Sequence, residues 1–481
     1  MGGEEDTVRQ STSISPERIR KLRDGSPPEG GGRYVLYWMQ SAQRAEENPA
    51  LEFAVQRANS LALPLVVCFV LTPDFPEARL RHYTFMVEGL LETFQSLRRR
   101  GACTVLRFGA PASEAAKMAK GAAEAVLDKG YLRTVRHWYR QFQQSVRCTV
   151  WQVEGEAVVP VRLASTKAEY AARTIRPRIK SHLDDFLYRL LPTELVHKTD
   201  SLEGLESTNV ERFSVSDVLK DLKIDHEVGP VSRFFQGGAS KGKALYQDFL
   251  DSWLPDYDVQ RNQPQTDYTS TMSPYLHYGM ISPLYLVTQM LSQCDGSDPN
   301  VESYLEELII RRGLSQNFCE FEERYDSYQC LPDWARKTLS EHAGDPRPDY
   351  VSPEQLEAAE SHDPYWNACQ VEMVETGYMH NYMRMYWGKK ILEWSESPEI
   401  AYKTTIYLNN KYFLDGRDPI SYANVLWIYG LHDRAWQERP IYGKIRTMTA
   451  GGLERKNDPK AYVDKVEERT GRSVSGKDWL C

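Results

Sequence analysis

The periodicity of apolar residues changes about one third of the way along this chain, and that change restricts the fold more than any other feature. From Tyr34 to about residue 160, short apolar runs such as YVLYWM, LPLVVCFVL and CTVLRFG alternate with helical stretches. A continuous apolar run is typical of a strand buried on both faces, and this alternation favours a parallel sheet covered by helices. After about residue 226 long helical patterns dominate. The sequence therefore predicts a doubly wound α/β domain followed by an all-α domain.

These patterns divide the chain into four parts. Residues 1–32 combine charges with the stretch GSPPEGGG and few large apolar groups, and are predicted to form a disordered tail. Residues 33–160 form the α/β domain, residues 161–225 a long linker, and residues 226–481 the helical domain. Within the α/β domain, the stretch ASEAAKMAKGAAEAVLDKG is predicted to be a helix. No GxGxxG follows the first strand, so the usual dinucleotide-binding fingerprint is absent.

The composition limits the class of protein. Of the 481 residues 41% are hydrophobic and 26% charged, which excludes wholesale disorder. No apolar run approaches the roughly 18 residues of a membrane-spanning helix, so a soluble chain without a membrane partner is expected. The eight cysteines show neither a CxxC pair nor zinc-ligand spacing, so no metal site and a reduced, intracellular compartment are predicted. The net charge of −8 argues against a wholly cationic nucleic-acid binder but allows a local basic groove.

A run of small hydroxyl residues marks a candidate phosphate site. Thr269, Ser270 and Ser273 precede Pro274, a residue favoured in the first turn of a helix. Hydroxyl groups and free backbone N–H groups at a helix start suit a diphosphate, and Tyr257 lies upstream. An ordinary cap on a structural helix is the alternative interpretation.

Most of the tryptophans lie in the second half of the chain. Trp387 and Trp394 are seven residues apart, which on a helix places them on one face, separated by about 10 Å along the axis. Trp366 could fold back beside them. Such spacing would let an electron hop between indoles, whereas the alternative is a core stripe at helical spacing.

Two further segments are candidates for a site. Residues 408–448 are polar and aromatic together, which is more typical of a functional loop than of a core. Upstream, Glu307 and Arg311 are four residues apart. They either form a surface ion pair on a helix, or Glu307 is a buried carboxylate that accepts hydrogen bonds from a ligand.

Taken together, these segments resemble the photolyase/cryptochrome family, and within it the class II cyclobutane pyrimidine dimer photolyases. The matching motifs are VLYWMQSAQRAEENPALEFAVQRAN, EYAARTIRPRI, SPYLHYG, LDGRDP and HDRAWQERPIYGKIR. The likeness extends from about Tyr34 to about Asp458. It implies an N-terminal α/β domain joined by a long linker to a helical FAD-binding domain, and light-dependent DNA repair by electron transfer from reduced FAD.

The resemblance also implies a role for each matching residue. The residues expected to hold FAD are Tyr257, Thr269, Ser270, Ser273, Arg384, Asn409, Asp415 and Asp418. Within that set, Arg384 would pair with Asp415 beside the flavin ring, and Asn409 would face flavin N5 and steady the reduced forms. The electron-transfer chain would run, from proximal to distal, through Trp387, Trp366 and Trp394.

The implied substrate is a pyrimidine dimer flipped out of duplex DNA. Glu307 would hydrogen-bond the dimer and stabilise its negative charge, while Met385 and Trp427 would pack on it. The loop that fills the gap in the duplex would carry Asp433, Arg434 and Trp436. Salt-dependent phosphate contacts would come from Arg176, Arg178, Lys444, Arg446, Arg455 and Lys456.

The remaining expectations concern partners and location. The chain is expected to act as a monomer, in the nucleus or an organelle of a eukaryote or in the cytoplasm otherwise, and its α/β domain could hold an antenna chromophore such as a deazaflavin. Four positions depart from the class pattern and affect the expected DNA affinity: Arg311, Gly313, Asn424 and Thr447.

Three alternatives remain open. The first is a cryptochrome-type photoreceptor without repair activity, although the chain ends about two dozen residues after the last match whereas cryptochromes commonly carry long tails. The second is repair of (6–4) photoproducts, which relies on paired histidines that His277, His380 and His432 do not reproduce in the expected pattern. The third is a helical flavoprotein with a Trp-rich core and no DNA role.

Overall fold

The structure, a computed structural model, describes residues 8–205, 208 and 213–476. None of the helices found there combines the length and the apolar character needed to cross a bilayer. The predicted division into an α/β domain and a helical domain is confirmed.

A six-stranded sheet forms the centre of the α/β domain. Its strand order is β2-β7-β6-β3-β4-β5, in which the last five strands run parallel and β2 pairs antiparallel with β7. The strands of this sheet are β2 (Ile19–Arg23), β3 (Tyr34–Met39), β4 (Leu65–Leu71), β5 (Cys103–Phe108), β6 (Ala122–Asp128) and β7 (Thr149–Val153). A separate parallel pair joins β1 (Gln10–Ser11) to β8 (Arg189–Leu190).

Helices cover both faces of this sheet. Those of the α/β domain and the linker are α1 (Pro49–Ser60), α2 (Leu80–Arg99), α3 (Pro111–Ala119), α4 (Arg133–Ser145), α5 (Val161–Ala164), α6 (Ala172–Phe186) and α7 (Val215–Leu219). Local sequence sets their starts: Asn48 caps α1, and its side-chain oxygen accepts hydrogen bonds from the backbone N–H groups of Ala50 and Leu51.

The second domain is built from helices. They are α8 (Ala239–Ser252), α9 (Tyr257–Gln260), α10 (Ser273–His277), α11 (Pro283–Leu291), α12 (Pro299–Leu305), α13 (Arg312–Phe321), α14 (Asp333–Glu341), α15 (Pro353–Glu357), α16 (Pro364–Thr376), α17 (Asn381–Trp394), α18 (Pro398–Tyr412), α19 (Pro419–Ile428), α20 (Ala450–Glu454) and α21 (Pro459–Thr470). Between α12 and α13 the chain continues as a π-helical segment, Glu306–Arg311.

The Ala-rich stretch predicted as one helix is instead a helix followed by a strand. Helix α3 ends at Ala119, and β6 begins at Ala122 and lies between β3 and β7. Gly121 separates them where space is tight, since a Cβ there would lie 3.0 Å from the Tyr34 hydroxyl. Pairing with two neighbouring strands outweighs the helix preference of alanine, because propensity is a weak determinant beside tertiary contacts.

The expectation of a disordered tail over residues 1–32 differs from the structure. Residues 1–7 lie outside the described part, but β2 pairs with β7, with Ile19 opposite Val153. Arg18 is 3% exposed and donates hydrogen bonds to the carbonyl oxygens of Glu154 (3.1 Å) and Ala157 (3.0 Å). A polar strand at a sheet edge lacks the apolar pattern by which strands are recognised. Its composition therefore resembles that of a disordered segment.

Helix α2 connects the two domains. The Arg81 guanidinium on this helix is 4% exposed and donates hydrogen bonds to the carbonyl oxygens of Tyr412 (2.7 Å) and Val374 (2.6 Å). The neighbouring His82 contacts the Phe413 carbonyl oxygen at 3.1 Å through Nε2. These hydrogen bonds attach the α/β domain to the C-terminal ends of helices α16 and α18.

Candidate active site

Arg384 and Asp415 form the ion pair predicted from the sequence. Arg384 Nη1 donates to Asp415 Oδ1 at 3.1 Å, and Arg384 Nε donates to the Met379 carbonyl oxygen at 3.0 Å. The guanidinium carbon lies 3.9 Å from the centre of the Phe413 ring, a cation–π distance. Asp415 is only 3% exposed, so the positive charge of Arg384 is held rigidly beside a buried carboxylate.

Asn409, near the end of α18, lies beside this pair. Its side chain is buried, and Nδ2 donates to Asn410 Oδ1 at 3.0 Å and to Ser421 Oγ at 3.2 Å. The Ser421 hydroxyl donates in turn to the Asp415 carbonyl oxygen at 2.9 Å. Ser421 therefore joins Asn409 to Asp415.

Three of the predicted diphosphate and adenine residues belong to a cluster of tyrosines. Thr269 Oγ1 is 3.1 Å from the Tyr378 hydroxyl, and the Tyr378 ring centre is 5.6 Å from the Arg384 guanidinium carbon. Ser270 accepts a hydrogen bond of 3.0 Å from Tyr304, whose ring packs 5.5 Å from that of Tyr257. The fourth predicted residue, Ser273, begins α10.

A buried histidine nitrogen adds to this region. His380 caps α17 by accepting a hydrogen bond from the Tyr382 N–H group through Nδ1 (3.2 Å), whereas its Nε2 has no hydrogen-bond partner among the described residues. Burial lowers the pKa of His380 to about 3, so the ring is neutral at physiological pH. A neutral, buried, unpartnered nitrogen is a ready contact for a ligand.

Asp418, the last predicted FAD residue, has other partners. Its carboxylate contacts His277 Nδ1 at 3.2 Å and Arg312 Nη1 at 3.8 Å, and it caps α19. Burial raises the pKa of this carboxyl, but the Arg312 charge and the His277 hydrogen bond hold the pKa below its usual range. Asp418 lines the cleft between the domains and does not join the Arg384–Asp415 pair.

The three predicted tryptophans are in contact. Trp366, from α16, lies between the two indoles of α17: its ring centre is 6.5 Å from that of Trp387, nearly parallel, and 5.7 Å from that of Trp394. All three are at most 1% exposed. Trp387 lies 6.4 Å from Phe413, and the exposed His362 packs at 4.8 Å on Trp394. The indoles thus connect the Arg384 side of the site with the surface.

Glu307 lies in the π-helical segment and is paired with Arg261. Arg261 Nη2 donates to Glu307 Oε1 at 2.6 Å, and Arg261 Nη1 donates to Ser303 Oγ at 2.9 Å. The surface pair between Glu307 and Arg311 is absent, because Arg311 contacts Glu306 instead, at 3.4 Å. In a π-helix residues five apart share a face, so the spacing rule for an α-helix does not apply.

Helices α17 and α19 bring Met385 and Trp427 into the same part of the domain. The two helices pack very closely at Gly388, where a Cβ would lie 2.1 Å from Ile428 Cδ1. Lys389, 1% exposed, donates from Nζ to the Ile428 carbonyl oxygen. Met385 and Trp427 are both half-buried and so remain accessible to a ligand.

The loop after α19 carries a stack of cations on an indole. Trp436 is 39% exposed and lies between the guanidinium carbons of Arg434 (5.0 Å) and Arg446 (5.4 Å). Its Nε1 group donates to both carboxylate oxygens of Asp433 at 3.3 Å. Arginine beside an exposed indole suits nucleic-acid phosphates and bases.

The other predicted phosphate contacts differ in their surroundings. Arg455 and Lys456 are exposed. Arg176 donates to both carboxylate oxygens of Glu306 (3.0 and 2.7 Å), Arg178 contacts Glu169 at 3.1 Å, and Lys444 contacts Glu438 at 3.8 Å. These three cations are therefore already paired in the free protein.

A cleft between the domains was not predicted from the sequence. It lies at the carboxyl ends of β3, β4 and β6, where ligands commonly bind in such sheets. The volume of the cleft, including the part open to solvent, is about 1020 Å³. Its lining includes Phe69, Trp138 and Tyr278. No sequence motif indicates this cleft, because the residues that line it come from segments far apart in the sequence.

Comparisons with known proteins agree with one another. The family model described as DNA photolyase matches residues 35–197. The deoxyribodipyrimidine photo-lyase of Methanothermobacter thermautotrophicus is 46% identical over 94% of this chain and 98% of its own length. That of Oryza sativa subsp. japonica is 39% identical over 95% of this chain and 91% of its own length. The solved structure of an archaeal photolyase from Sulfolobus tokodaii with two FAD molecules covers 90% of this chain and 89% of that chain, with a TM-score of 0.67 at 16% identity, and so shares the fold.

Proposed function

The chain belongs to the DNA photolyase family, and we propose that it is a class II enzyme that repairs cyclobutane pyrimidine dimers in UV-damaged DNA under illumination. The observation that carries this proposal is the carboxylate of Glu307, which Arg261 holds at 2.6 Å while the side chain stays 38% exposed. The series of contacts from three buried indoles through Phe413 to Arg384 and Asp415 supports the flavin part of the proposal.

The side chains of the site fit FAD. The hydroxyl groups of Thr269, Ser270 and Ser273 would bind the diphosphate, and the buried Nε2 of His380 offers one further contact. Arg384, fixed by Asp415 and Phe413, would bind beside the flavin ring, which Asn409 would face at N5. FAD, once bound, supplies the electron that splits the dimer. Trp387, Trp366 and Trp394 would carry electrons from the surface to the site.

The substrate would bind next to Glu307, Met385 and Trp427. Flipping a dimer out of the duplex costs a few kcal/mol. Stacking on an indole such as Trp427 returns about 1–3 kcal/mol per base. Glu307 would accept a hydrogen bond from the dimer while Arg261 keeps the carboxylate oriented. Trp436 and its two arginines would contact the duplex beside the lesion, and the affinity would fall with salt.

The cleft between the domains would hold an antenna chromophore. Its aromatic and apolar lining suits a flat heterocycle such as a deazaflavin. His82 and Arg417 line this cleft and also contact each other at 3.1 Å, and His82 contacts the Phe413 carbonyl oxygen. A chromophore there would lie close to the flavin region without sharing its residues.

The alternatives fit the site less well. The three histidines considered for (6–4) repair have separate partners: His277 contacts Asp418, His380 caps α17, and His432 Nδ1 contacts the Tyr170 carbonyl oxygen at 2.8 Å. A photoreceptor without repair activity would share the flavin and tryptophan residues, but it would not need Glu307 and its Arg261 support.

The proposal is tested with a dimer-containing oligonucleotide and the purified, chemically reduced protein. We expect the dimer to be lost under near-UV or blue light and retained in the dark. FAD that is bound and photoreducible without any loss of the dimer would favour the photoreceptor, and the departures at Gly313, Asn424 and Thr447 would then be examined first. A protein that binds no FAD would overturn the proposal.

A further inference from the structure

The orientation of the Asn409 side-chain amide is fixed by two acceptors. The NH2 group has two N–H bonds, and the structure directs one to Asn410 Oδ1 (3.0 Å) and the other to Ser421 Oγ (3.2 Å). Turning the amide over would lose both hydrogen bonds and place a carbonyl oxygen against two oxygens. The carbonyl oxygen Oδ1 receives no hydrogen bond from the residues that the structure describes, although Asn409 is 4% exposed.

The two acceptors are themselves fixed. The Ser421 hydroxyl donates its proton to the Asp415 carbonyl oxygen at 2.9 Å, so only its lone pairs can face Asn409. Asn410 Oδ1 also accepts from the Arg417 backbone N–H at 3.0 Å, while Asn410 Nδ2 donates to Glu77 Oε2 at 2.6 Å. Reversing the Asn410 amide would place its NH2 group against the N–H groups of Asn409 and Arg417, and its oxygen against the Glu77 carboxylate. Both Ser421 and Asn410 can therefore act only as hydrogen-bond acceptors toward Asn409.

We propose that Ser421 and Asn410 are positioning residues that hold the Asn409 carbonyl oxygen toward the flavin. This inference rests on the proposed function, in which Asn409 faces flavin N5. A carbonyl oxygen only accepts hydrogen bonds, and N5 carries a proton in the reduced flavin but not in the oxidised flavin. The fixed orientation therefore favours the reduced flavin, whereas an amide free to turn would favour the two forms more equally.

The test is the midpoint potential of FAD bound to the full chain, measured by spectroelectrochemistry together with the FAD content. Ser421→Ala removes one of the two acceptors and is expected to weaken the preference for reduced flavin about fivefold, the effect of one typical net hydrogen bond. For a two-electron couple this change corresponds to a fall of about 20 mV. In an Asn409→Leu background the same Ser421→Ala change should have no further effect, because Ser421 acts through Asn409.

Ser395→Ala is the matched control. Ser395 is 2% exposed, and its hydroxyl likewise donates to a backbone carbonyl, that of Ile391, at 2.7 Å. We expect this variant to keep the wild-type potential. An equal shift in Ser395→Ala would mean general loosening of the domain and would overturn the inference.

The remaining outcomes separate the inference from its premise. If Asn409→Leu shifts the potential and Ser421→Ala does not, the positioning role of Ser421 is wrong while the proposed function stands. If FAD binds but Asn409→Leu leaves the potential unchanged, Asn409 does not face N5, and the inference fails with that part of the proposal. Equal effects of Ser421→Ala with and without Asn409 would likewise contradict positioning through the amide.

Discussion

At the scale of single residues, the contact between Arg261 and Glu307 fixes the orientation of the carboxylate that is proposed to bind the dimer. The 2.6 Å hydrogen bond is charge-assisted, and the Glu307 side chain is 38% exposed. One carboxylate oxygen is thus held by the protein while the carboxylate stays accessible. Such a group is oriented before any ligand arrives, so the ligand does not bear the entropy of ordering it.

Glu307→Gln should slow repair without removing FAD. The variant keeps the size of the side chain but replaces a charge-assisted acceptor with a neutral one of about half the strength, a loss of about 0.8–1.5 kcal/mol, or roughly 4–13-fold in the rate. The measurement is the single-turnover rate of dimer loss by reduced enzyme at saturating DNA. Glu306→Gln is the control, since this adjacent carboxylate pairs with Arg176 instead. Equal effects of the two variants would contradict the role of Glu307.

Trp366→Phe should block light-driven reduction of oxidised FAD but not repair by chemically reduced enzyme. Trp366 lies between Trp387 and Trp394 and is in ring contact with both, so its loss interrupts the series of contacts among these three indoles. Photoreduction is expected to slow by about an order of magnitude or more, because one indole of the series is missing. Repair by the reduced enzyme should continue, because the flavin itself remains in place. Absorbance under illumination with an external reductant measures the rate, and Trp387→Phe should behave alike. Trp151→Phe, on β7 in the other domain, should leave it unchanged.

The pairing of Arg384 with Asp415 was easier to predict than that of Arg261 with Glu307. Asp415 belongs to the motif LDGRDP, and the family resemblance implied Arg384 as its partner. The pairing of Arg261 with Glu307 joins residues 46 positions apart and depends on the π-helical turn, which no spacing rule for an α-helix anticipates. Asp418 is only three positions from Asp415, yet its carboxylate contacts His277 and Arg312 and lines the cleft, so closeness in sequence does not show on which side of the loop a carboxylate lies.

At the scale of secondary-structure elements, the crossing of α17 and α19 fixes the distance between Arg384 and Trp387 on one helix and Trp427 on the other. Gly388 allows the two helices to touch, and Lys389 ties α17 to the end of α19 through the Ile428 carbonyl oxygen. Helix α17 carries Arg384 and Trp387, while α19 carries Trp427. In the proposed reaction, a shift at this crossing would change the distance between the flavin and the dimer.

Lys389→Met should abolish one component of the pH dependence of stability. Burial lowers the pKa of Lys389 to about 7, with Asp433 raising it and Arg446 lowering it. The unfolded chain has an ordinary lysine pKa near about 10.4. Between these values the folded lysine is neutral and the unfolded one protonated, so the free energy of unfolding rises with pH, by at most about 1.4 kcal/mol per unit.

The measurement is urea unfolding at pH 7.5, 8.5 and 9.5 for both proteins. The wild type should gain stability over this range relative to Lys389→Met. Lys403→Met, which removes an exposed lysine of α18, should retain the wild-type slope. A wild-type slope in Lys389→Met would show that the buried lysine is protonated in the folded state.

Burial and apolar character decided which strands could be predicted from the sequence. Strands β3 and β4 are fully buried runs of mostly large apolar residues, β5 is buried in its first half, and all three were recognised from the sequence. Strand β6 is rich in alanine and β2 is polar, so local preference contradicts the partners that each finds in the sheet. The hydrogen bonds of neighbouring strands, which are non-local, decided both cases.

At the scale of the whole molecule, affinity for DNA has to be reconciled with a formal net charge of −8. The cations around Trp436 are concentrated in one loop, whereas Arg176, Arg178 and Lys444 are neutralised by carboxylates. The local potential, not the total charge, attracts the phosphates. The acidic remainder of the surface would discourage binding elsewhere.

Arg446→Gln should reduce the salt dependence of DNA binding. One lost phosphate contact lowers the slope of log K against log salt by about 0.9. Fluorescence anisotropy of a labelled duplex at several salt concentrations measures this slope. Lys220→Gln makes the same change of charge at the exposed residue that follows α7, remote in sequence from the Trp436 loop, and should leave the slope unchanged. Parallel slopes for all three proteins would remove Arg446 from the interface.

The edge strand β2 has a practical consequence for anyone who shortens this protein. A chain that lacks the residues before 24, removed on the assumption that they are unstructured, would leave the outer edge of β7 unpaired and three carbonyl groups without Arg18. A bare strand edge recruits the edges of other molecules. The trimmed protein should therefore self-associate during purification, which light scattering would detect, while the full chain stays dispersed.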